Sequence, residues 1–304
     1  MISSNKTFLA TLAALTAQVI FGFSFLFTKI ALRSATPFVL LADRYLIAFL
    51  VMTVIVIVTK TRLCFTKGLW KLLLMSLFQP VLYFLFETYG IQMTSSSFSA
   101  VMIAMIPVIS MISGIFLLKE IPTPMQYVFT ALSVAGVIFM AYLGTSSGTV
   151  TPLGILLLFG AVVSSVGYNI ISRQLSTEFT ALERTYAMML IGFLVFMGIA
   201  LVETRGNLVS VLMPFRNTGF LSGVLYLGVI SSVLAFFLMN YANSYLPVSK
   251  TTIFSNLTTV VSVFAGVCFL KEPFSRQAFF ATLLIVVGVW GVQLQKVKIE
   301  KQRL

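Results

Sequence analysis

MISGIFLLKEIPTPMQ occupies Met111 to Gln126, and VFAGVCFLKEPFSRQ occupies Val263 to Gln277. The Lys119-Glu120 and Lys271-Glu272 pairs stand 152 positions apart, and this offset holds without a gap well beyond them. It matches Val81 with Val233, Leu82 with Leu234, Phe84 with Phe236, Tyr89 with Tyr241 and Ser97 with Ser249. It also matches Ser110 with Ser262, Gly114 with Gly266, Leu118 with Leu270, Gly136 with Gly288 and Val137 with Val289. Matches among Leu, Val and Phe are common by chance in apolar sequence, so the Gly, Ser, Tyr and Lys-Glu matches carry the weight. Further upstream the register becomes 140, where Asp43-Arg44 meets Glu183-Arg184.

The repeated unit is a membrane unit. Hydrophobic residues make up 59% of the chain and charged residues 9%, against about 25% charged in soluble domains. A spanning helix needs about 20 apolar residues. Uncharged runs of 22 residues between Lys6 and Lys29, 33 between Arg216 and Lys250, and 20 between Lys250 and Lys271 meet that need. The run of 52 between Glu120 and Arg173 must hold two spans. Breakers such as SATP, TKTRLCFTKG, KEIPTP, GTSSGTVTP and LVETRGN divide the chain into ten segments. Their limits are 7–32, 37–59, 69–91, 97–118, 124–143, 153–173, 183–203, 218–241, 247–270 and 276–295. The expected fold is an all-α polytopic membrane protein of ten transmembrane helices. It divides into a first five-span repeat at 1–148, a second at 149–295 and a basic tail at 296–304. Span 1 is too long for a signal peptide and is read as retained.

Five is odd, so the second repeat enters from the face opposite the first. Inverted repeats are the construction of many secondary transporters, with the site at the repeat interface. Of the 20 Lys and Arg, 13 fall on the face holding both termini and 7 on the other, so both termini are expected in the cytoplasm. The net charge of +12 reflects this topology and attraction to anionic lipid rather than nucleic acid binding.

Polar groups inside spans are costly and face a cavity or a partner helix. Four helical stripes stand out: Gln18, Gly22, Phe25 and Lys29; Gln79, Tyr83 and Glu87; Ser165, Tyr168 and Asn169; Ser232, Phe236 and Asn240. The substrate-binding candidates are Gln18, Gln79, Tyr83, Glu87, Tyr168, Asn169, Ser232 and Asn240. Interhelical hydrogen bonding, with Gly114, Gly136, Gly160 and Gly266 as close-approach points, is the alternative reading. Lys29, Asp43, Arg44, Glu183 and Arg184 are candidates for gating or structural ion pairs, each acidic residue at a favourable helix start. Glu87 has two open readings: a site for a proton or a substrate cation, or a buried partner of Lys29 or Arg44. Pro80 and Pro107 fall mid-span and mark hinges or fixed bends. The Lys-Glu pairs either close their helices or take part in gating.

The segments Glu87–Glu120 (ETYGIQMTSSSFSAVMIAMIPVISMISGIFLLKE) and Asn240–Glu272 (NYANSYLPVSKTTIFSNLTTVVSVFAGVCFLKE) resemble the EamA family of the drug/metabolite transporter superfamily. Each family repeat has a small-residue stretch, a Pro and an apolar run ending in Leu-Gly-Glu. This chain keeps Glu120 and Glu272, places Lys119 and Lys271 where Gly is usual, sets Thr259 opposite Pro107, and has Phe21-Gly22 for the usual Trp-Gly. The resemblance implies an inner-membrane secondary transporter exporting amino acids or related small metabolites, with protons as a candidate coupling ion. A multidrug or amphipathic-cation exporter is the alternative. A non-transporting receptor or scaffold and a membrane-embedded enzyme are the rivals from other classes.

No phosphate-binding Gly-x-x-x-x-Gly-Lys loop is present, so ATP-driven transport by this chain is not expected. Histidine is absent, and the two cysteines, Cys64 and Cys268, fall on opposite faces. Neither a metal nor a cofactor is expected, and the few acidic residues form no catalytic cluster.

Overall fold

The computed structural model describes residues 4–61, 63, 68–118, 120–121, 123–146, 150–246, 251, 254–294 and 298–299. Apolar segments in a bilayer must satisfy their backbone groups internally, and these form helices. They are α1 (Ser4–Ala31), α2 (Pro37–Val58), α3 (Leu69–Gln92) and α4, in two pieces (Ser96–Ile103 and Ile106–Leu118). Then come α5 (Pro124–Ser146), α6 (Pro152–Leu175), α7 (Ala181–Glu203), α8 (Thr218–Tyr245), α9 (Ser255–Leu270) and α10 (Arg276–Leu294). Among the described residues, α1 to α8 are long and apolar enough to cross a membrane, whereas α9 and α10 are apolar but shorter. The expected limits agree with the helices to within a few residues, except that 247–250 and 252–253, at the start of the ninth segment, lie outside the described residues.

Small polar residues start the helices. Thr36 and Thr151 each precede a proline, and their Oγ1 atoms accept from Val39 N at 3.4 Å and Gly154 N at 3.1 Å. Thr180 and Glu183 form a reciprocal capping box at α7. This corrects the parallel drawn between Glu183 and Asp43. Glu183 is in the first turn of α7, whereas α2 begins at Pro37 and leaves Asp43 nearly two turns inside, clear of the helix start.

The prolines break their helices. Around Gln79-Pro80 the chain forms a widened turn, Leu77–Leu82, with Gln79 in extended conformation. A widened turn recurs at Tyr226–Ala235 of α8, which contains the equivalent positions. α4 breaks at Ala104–Met105, just before Pro107, which has no N–H to continue the ladder.

Helix neighbours follow one pattern. α2 packs on α7, α4 on α9, α5 on α10, α3 on α6 and α1 on α8. Exchanging each helix of the first five with its counterpart in the second five maps this set onto itself. Gly136 and Gly288, matched by the repeat, meet on the α5–α10 seam. A Cβ on Gly288 would lie 2.6 Å from Ser133 N, and one on Gly136 would lie 2.7 Å from Ile285 Cγ1.

Two faces are defined by contacts between turns. On the terminal face Lys71 pairs with Glu178, Arg173 Nη1 donates to Asn243 O at 2.7 Å, and Lys6 lies over Tyr245. A two-residue pairing of Glu120–Ile121 with Lys298–Ile299 lies on the same face. On the opposite face Thr36 Oγ1 donates to Glu203 Oε2 at 2.9 Å and Thr151 N to Met93 O at 3.3 Å. Cys64, Lys119 and Lys250 lie outside the described residues, so the geometry of the Lys-Glu phrase is seen in its second copy.

Candidate functional site

A narrow cavity of about 60 Å³ lies between α1, α3, α4, α6, α8 and α9. At 10 to 15 Å³ per water it has room for roughly four to six waters. Its polar wall holds Gln18, Gln79, Tyr83, Glu87, Ser165 and Asn169, and its aromatic wall holds Phe21, Phe25, Phe84, Tyr168 and Phe236. Four of the six α3–α4 lining residues, Phe84, Glu87, Ile103 and Ile106, have Phe236, Met239, Ser255 and Thr258 as their equivalents at offset 152, and all eight line the cavity.

Six of the eight substrate-binding candidates therefore meet at one place: Gln18, Gln79, Tyr83, Glu87, Tyr168 and Asn169. Ser232 and Asn240 do not line it. Both are fully buried and act behind the wall. Ser232 Oγ accepts from Arg44 Nε at 2.8 Å. Asn240 Oδ1 accepts from Tyr168 Oη at 3.0 Å and Ser172 Oγ at 2.9 Å, and its Nδ2 donates to Thr185 Oγ1 at 3.0 Å. Ser232 lies inside the widened turn, and a π-type turn holds more residues than an α turn, so an α-spaced stripe crossing it rotates off its face. Asn240 lies past that turn, in regular helix with Phe236, where the position facing the cavity is three residues on rather than four. Of that stripe only Phe236 reaches the cavity, and Met239 takes the place expected of Asn240.

Glu87 is buried, is the only charged residue lining the cavity among the described residues, and accepts from Tyr83 Oη at 2.9 Å. Of its two open readings, the ion pair with Lys29 or Arg44 is not formed here. Lys29 Nζ donates instead to Ile91 O at 2.7 Å and to Thr94 O. Arg44 donates to Ser232 and, at 3.2 Å, to Ser231 Oγ, with its guanidinium 4.0 Å from the Phe84 ring centroid. Arg44 is within Coulomb range of Glu87 but not in contact with it. Asp43 is fully buried and neither carboxylate oxygen has a hydrogen-bond partner among the described residues. Arg184 Nη1 donates to Ser172 O and Oγ at 2.6 and 2.8 Å, and Nη2 to Asn240 O at 2.8 Å and to Ser244 Oγ. Hydroxyls and carbonyls, rather than carboxylates, hold Lys29, Arg44 and Arg184.

Gly22, placed on the span 1 stripe, serves close approach: a Cβ there would lie 2.6 Å from Val261 Cβ. The sequence reading missed Ser255 and Thr258. Thr258 Oγ1 donates to Gln18 O at 2.8 Å and Oε1 at 2.6 Å. The signal was present, since Ser255, Thr258 and Ser262 follow helical spacing, but short hydroxyls usually serve helix packing and do not stand out. Among the described residues, no group of three or more His, Cys, Asp or Glu side chains is placed to hold a metal ion.

The profile of the EamA-like transporter family matches residues 8–142 and again 152–294. The chain belongs to that family. An uncharacterized transporter of Bacillus subtilis, YcxC, is 37% identical over 293 residues, covering 94% of each chain. A second from the same organism, YetK, is 27% identical over 92% of this chain and 85% of its own. An uncharacterized transporter of Archaeoglobus fulgidus is 23% identical over 89% of this chain and 94% of its own. One solved crystal structure superposes with a TM-score of 0.68 over 94% of this chain and 96% of that one, at 18% identity, which shows the shared fold. This EamA-like protein is thus a multi-pass membrane protein of a transporter family.

Proposed function

We propose that this protein is a secondary-active transporter that carries a small organic solute through the central cavity by alternating access. Its ten helices all cross the membrane, as two inverted five-helix repeats, 1–148 and 149–295, followed by the tail 296–304. The carrying observation is that sequence-equivalent positions of the two halves line one cavity, as a site at a repeat interface requires. Gln18, Gln79, Tyr83, Glu87, Tyr168 and Asn169 are the substrate-facing groups, and Ser232 and Asn240 support them from behind.

The family resemblance supports export of amino acids or related metabolites, and the buried Glu87 carboxylate supports protons as a candidate coupling ion. A second reading, export of amphipathic cations, is favoured by the lining itself. One carboxylate and several aromatic rings suit a cation with an apolar body, and among the described residues no Lys or Arg lines the cavity to meet a substrate carboxylate.

Flux into proteoliposomes separates the two readings. Pooled amino acids, the amines corresponding to them without the carboxylate, and amphipathic cations are offered under a pH gradient. Amino acid flux supports the first reading, and flux of amines and cations alone supports the second. No flux above protein-free liposomes for any pool overturns the transport assignment.

The 13 to 7 distribution of basic residues supports a terminal face in the cytoplasm and a location in the plasma membrane. Antibody against a C-terminal tag is expected to bind only after permeabilisation. Binding on intact cells reverses the orientation.

A further inference from the structure

The turn between α3 and α4, Met93–Ser95, is gripped from both sides by opposite charges. On the α3 side Lys29 of α1 donates to the carbonyls of Ile91 and Thr94 at the helix C-terminus. On the α4 side Glu272, in the turn after α9, accepts from Ser96 N at 2.7 Å, Ser97 N at 2.9 Å and Ser97 Oγ at 2.6 Å. Each charge meets the helix end of opposite polarity. Lys29 and Glu272 lie within Coulomb range of each other.

The backbone at the end of α9 aims this carboxylate. Lys271 adopts a left-handed conformation at φ 56°, and Glu272 N donates to Gly266 O at 3.1 Å, turning the chain back over its helix. Gly266 leaves the space for the contact, since a Cβ there would lie 2.5 Å from Ser97 Oγ and 2.6 Å from Glu272 Oε2. Ser96 and Ser97 are buried, so their amides, in the first turn of α4, would otherwise lack acceptors.

The gripped segment leads to the cavity. From Ser96 the first piece of α4 runs to Ile103, a lining residue, and ends at the break before Pro107. It is a short lever with its joint at the cavity and its free end under Glu272.

We infer that Glu272 is the releasable latch of the cavity on the face opposite the termini, with Lys29 as the fixed side of the clamp. Breaking the three Glu272 contacts frees the first piece of α4 to swing at the Ala104–Met105 joint and opens the cavity to that face. This rests on the transport reading for its purpose, but the test needs no substrate.

In a background with Cys64→Ser and Cys268→Ser, Ser24→Cys places a thiol in the cavity wall. The rate of its modification by a membrane-impermeant thiosulfonate is measured from the face opposite the termini. Glu272→Gln loses the charge and one strong acceptor, and is expected to raise the rate about tenfold or more, as loss of one charged hydrogen bond of about 1.5 kcal/mol implies. Ser97→Ala, which removes the side-chain bond alone, is expected to raise it by a smaller factor with unchanged thermal stability. Glu203→Gln, which removes the charge from the Thr36 contact on the same face, is expected to leave it unchanged. The latch is overturned if Ser97→Ala and Glu272→Gln both label at the parent rate, if Glu203→Gln accelerates labelling as much, or if the thiol is unreactive in every variant. Latch-dependent labelling in a protein that moves no solute would sink the transport assignment and leave the latch standing.

Discussion

Glu87→Gln is expected to reduce gradient-driven flux about tenfold to a hundredfold while the protein still inserts and folds. Among the described residues the carboxylate is the only charged group lining the cavity, and Lys29 and Arg44 are satisfied elsewhere by carbonyls and serine hydroxyls. It is therefore available to a proton or a substrate cation. Glutamine keeps the shape and an oxygen to accept from Tyr83 Oη, so the local packing survives. What is lost is one charge-assisted contact, about 1.5 to 3 kcal/mol, which gives the stated range. The measurement is flux of whichever pool the liposome screen identifies, across a series of pH gradients, beside thermal stability in detergent. Unchanged flux with an unchanged pH profile removes Glu87 from the coupling role. The same loss from Leu284→Ala, on the exposed side of α10, would show that flux responds to any change in the bundle.

Gly288→Val is expected to destabilise the protein by about 3 kcal/mol, at the upper end of overpacking costs. The new Cβ would meet Ser133 N at 2.6 Å and Phe129 O at 2.7 Å, and backbone atoms cannot step aside as a side chain can. α5 and α10 would have to separate along their seam. Gly198→Ala is the control, because a Cβ there meets nothing within 4 Å and alanine favours a helix interior by about 1 kcal/mol. Thermal melting of both variants decides the matter. Equal melting temperatures would mean that the seam yields without cost.

The helices were legible because the bilayer leaves so few alternatives to an apolar helix, and the repeat because an offset of 152 ties Gly136 to Gly288 and Phe84 to Phe236. The polar stripes of α1, α3 and α6 led to the cavity for the same reason, since a buried Gln or Glu needs somewhere to face. The stripe of α8 departs from the cavity at Ser232, where the widened turn Tyr226–Ala235 changes the residues per turn and nothing in the α spacing announces it, and at Asn240, where the cavity-facing position beyond Phe236 is Met239. Charge was read least well. Opposite charges in neighbouring spans suggested ion pairs, yet in a helical bundle backbone carbonyls at helix ends and short hydroxyls compete for each cation, as they do for Lys29 and Arg184. The Glu272 contact joins residues 175 and 176 positions apart, a separation at which sequence periodicity carries no signal.

The pairing of α2 with α7, α4 with α9 and α5 with α10 has the form of an isologous interface, in which both partners use the same patch. Two separate identical copies, assembled antiparallel, would have to furnish such a cavity with its charges in twos. A carboxylate at one position would bring its twin across the axis, at close quarters and with mutual repulsion. Holding both halves in one chain lifts that constraint. Glu87 here faces the cavity from one half while its equivalent, Met239, faces it from the other. Broken symmetry lets the binding chamber hold a single charge within a framework that stays two-fold.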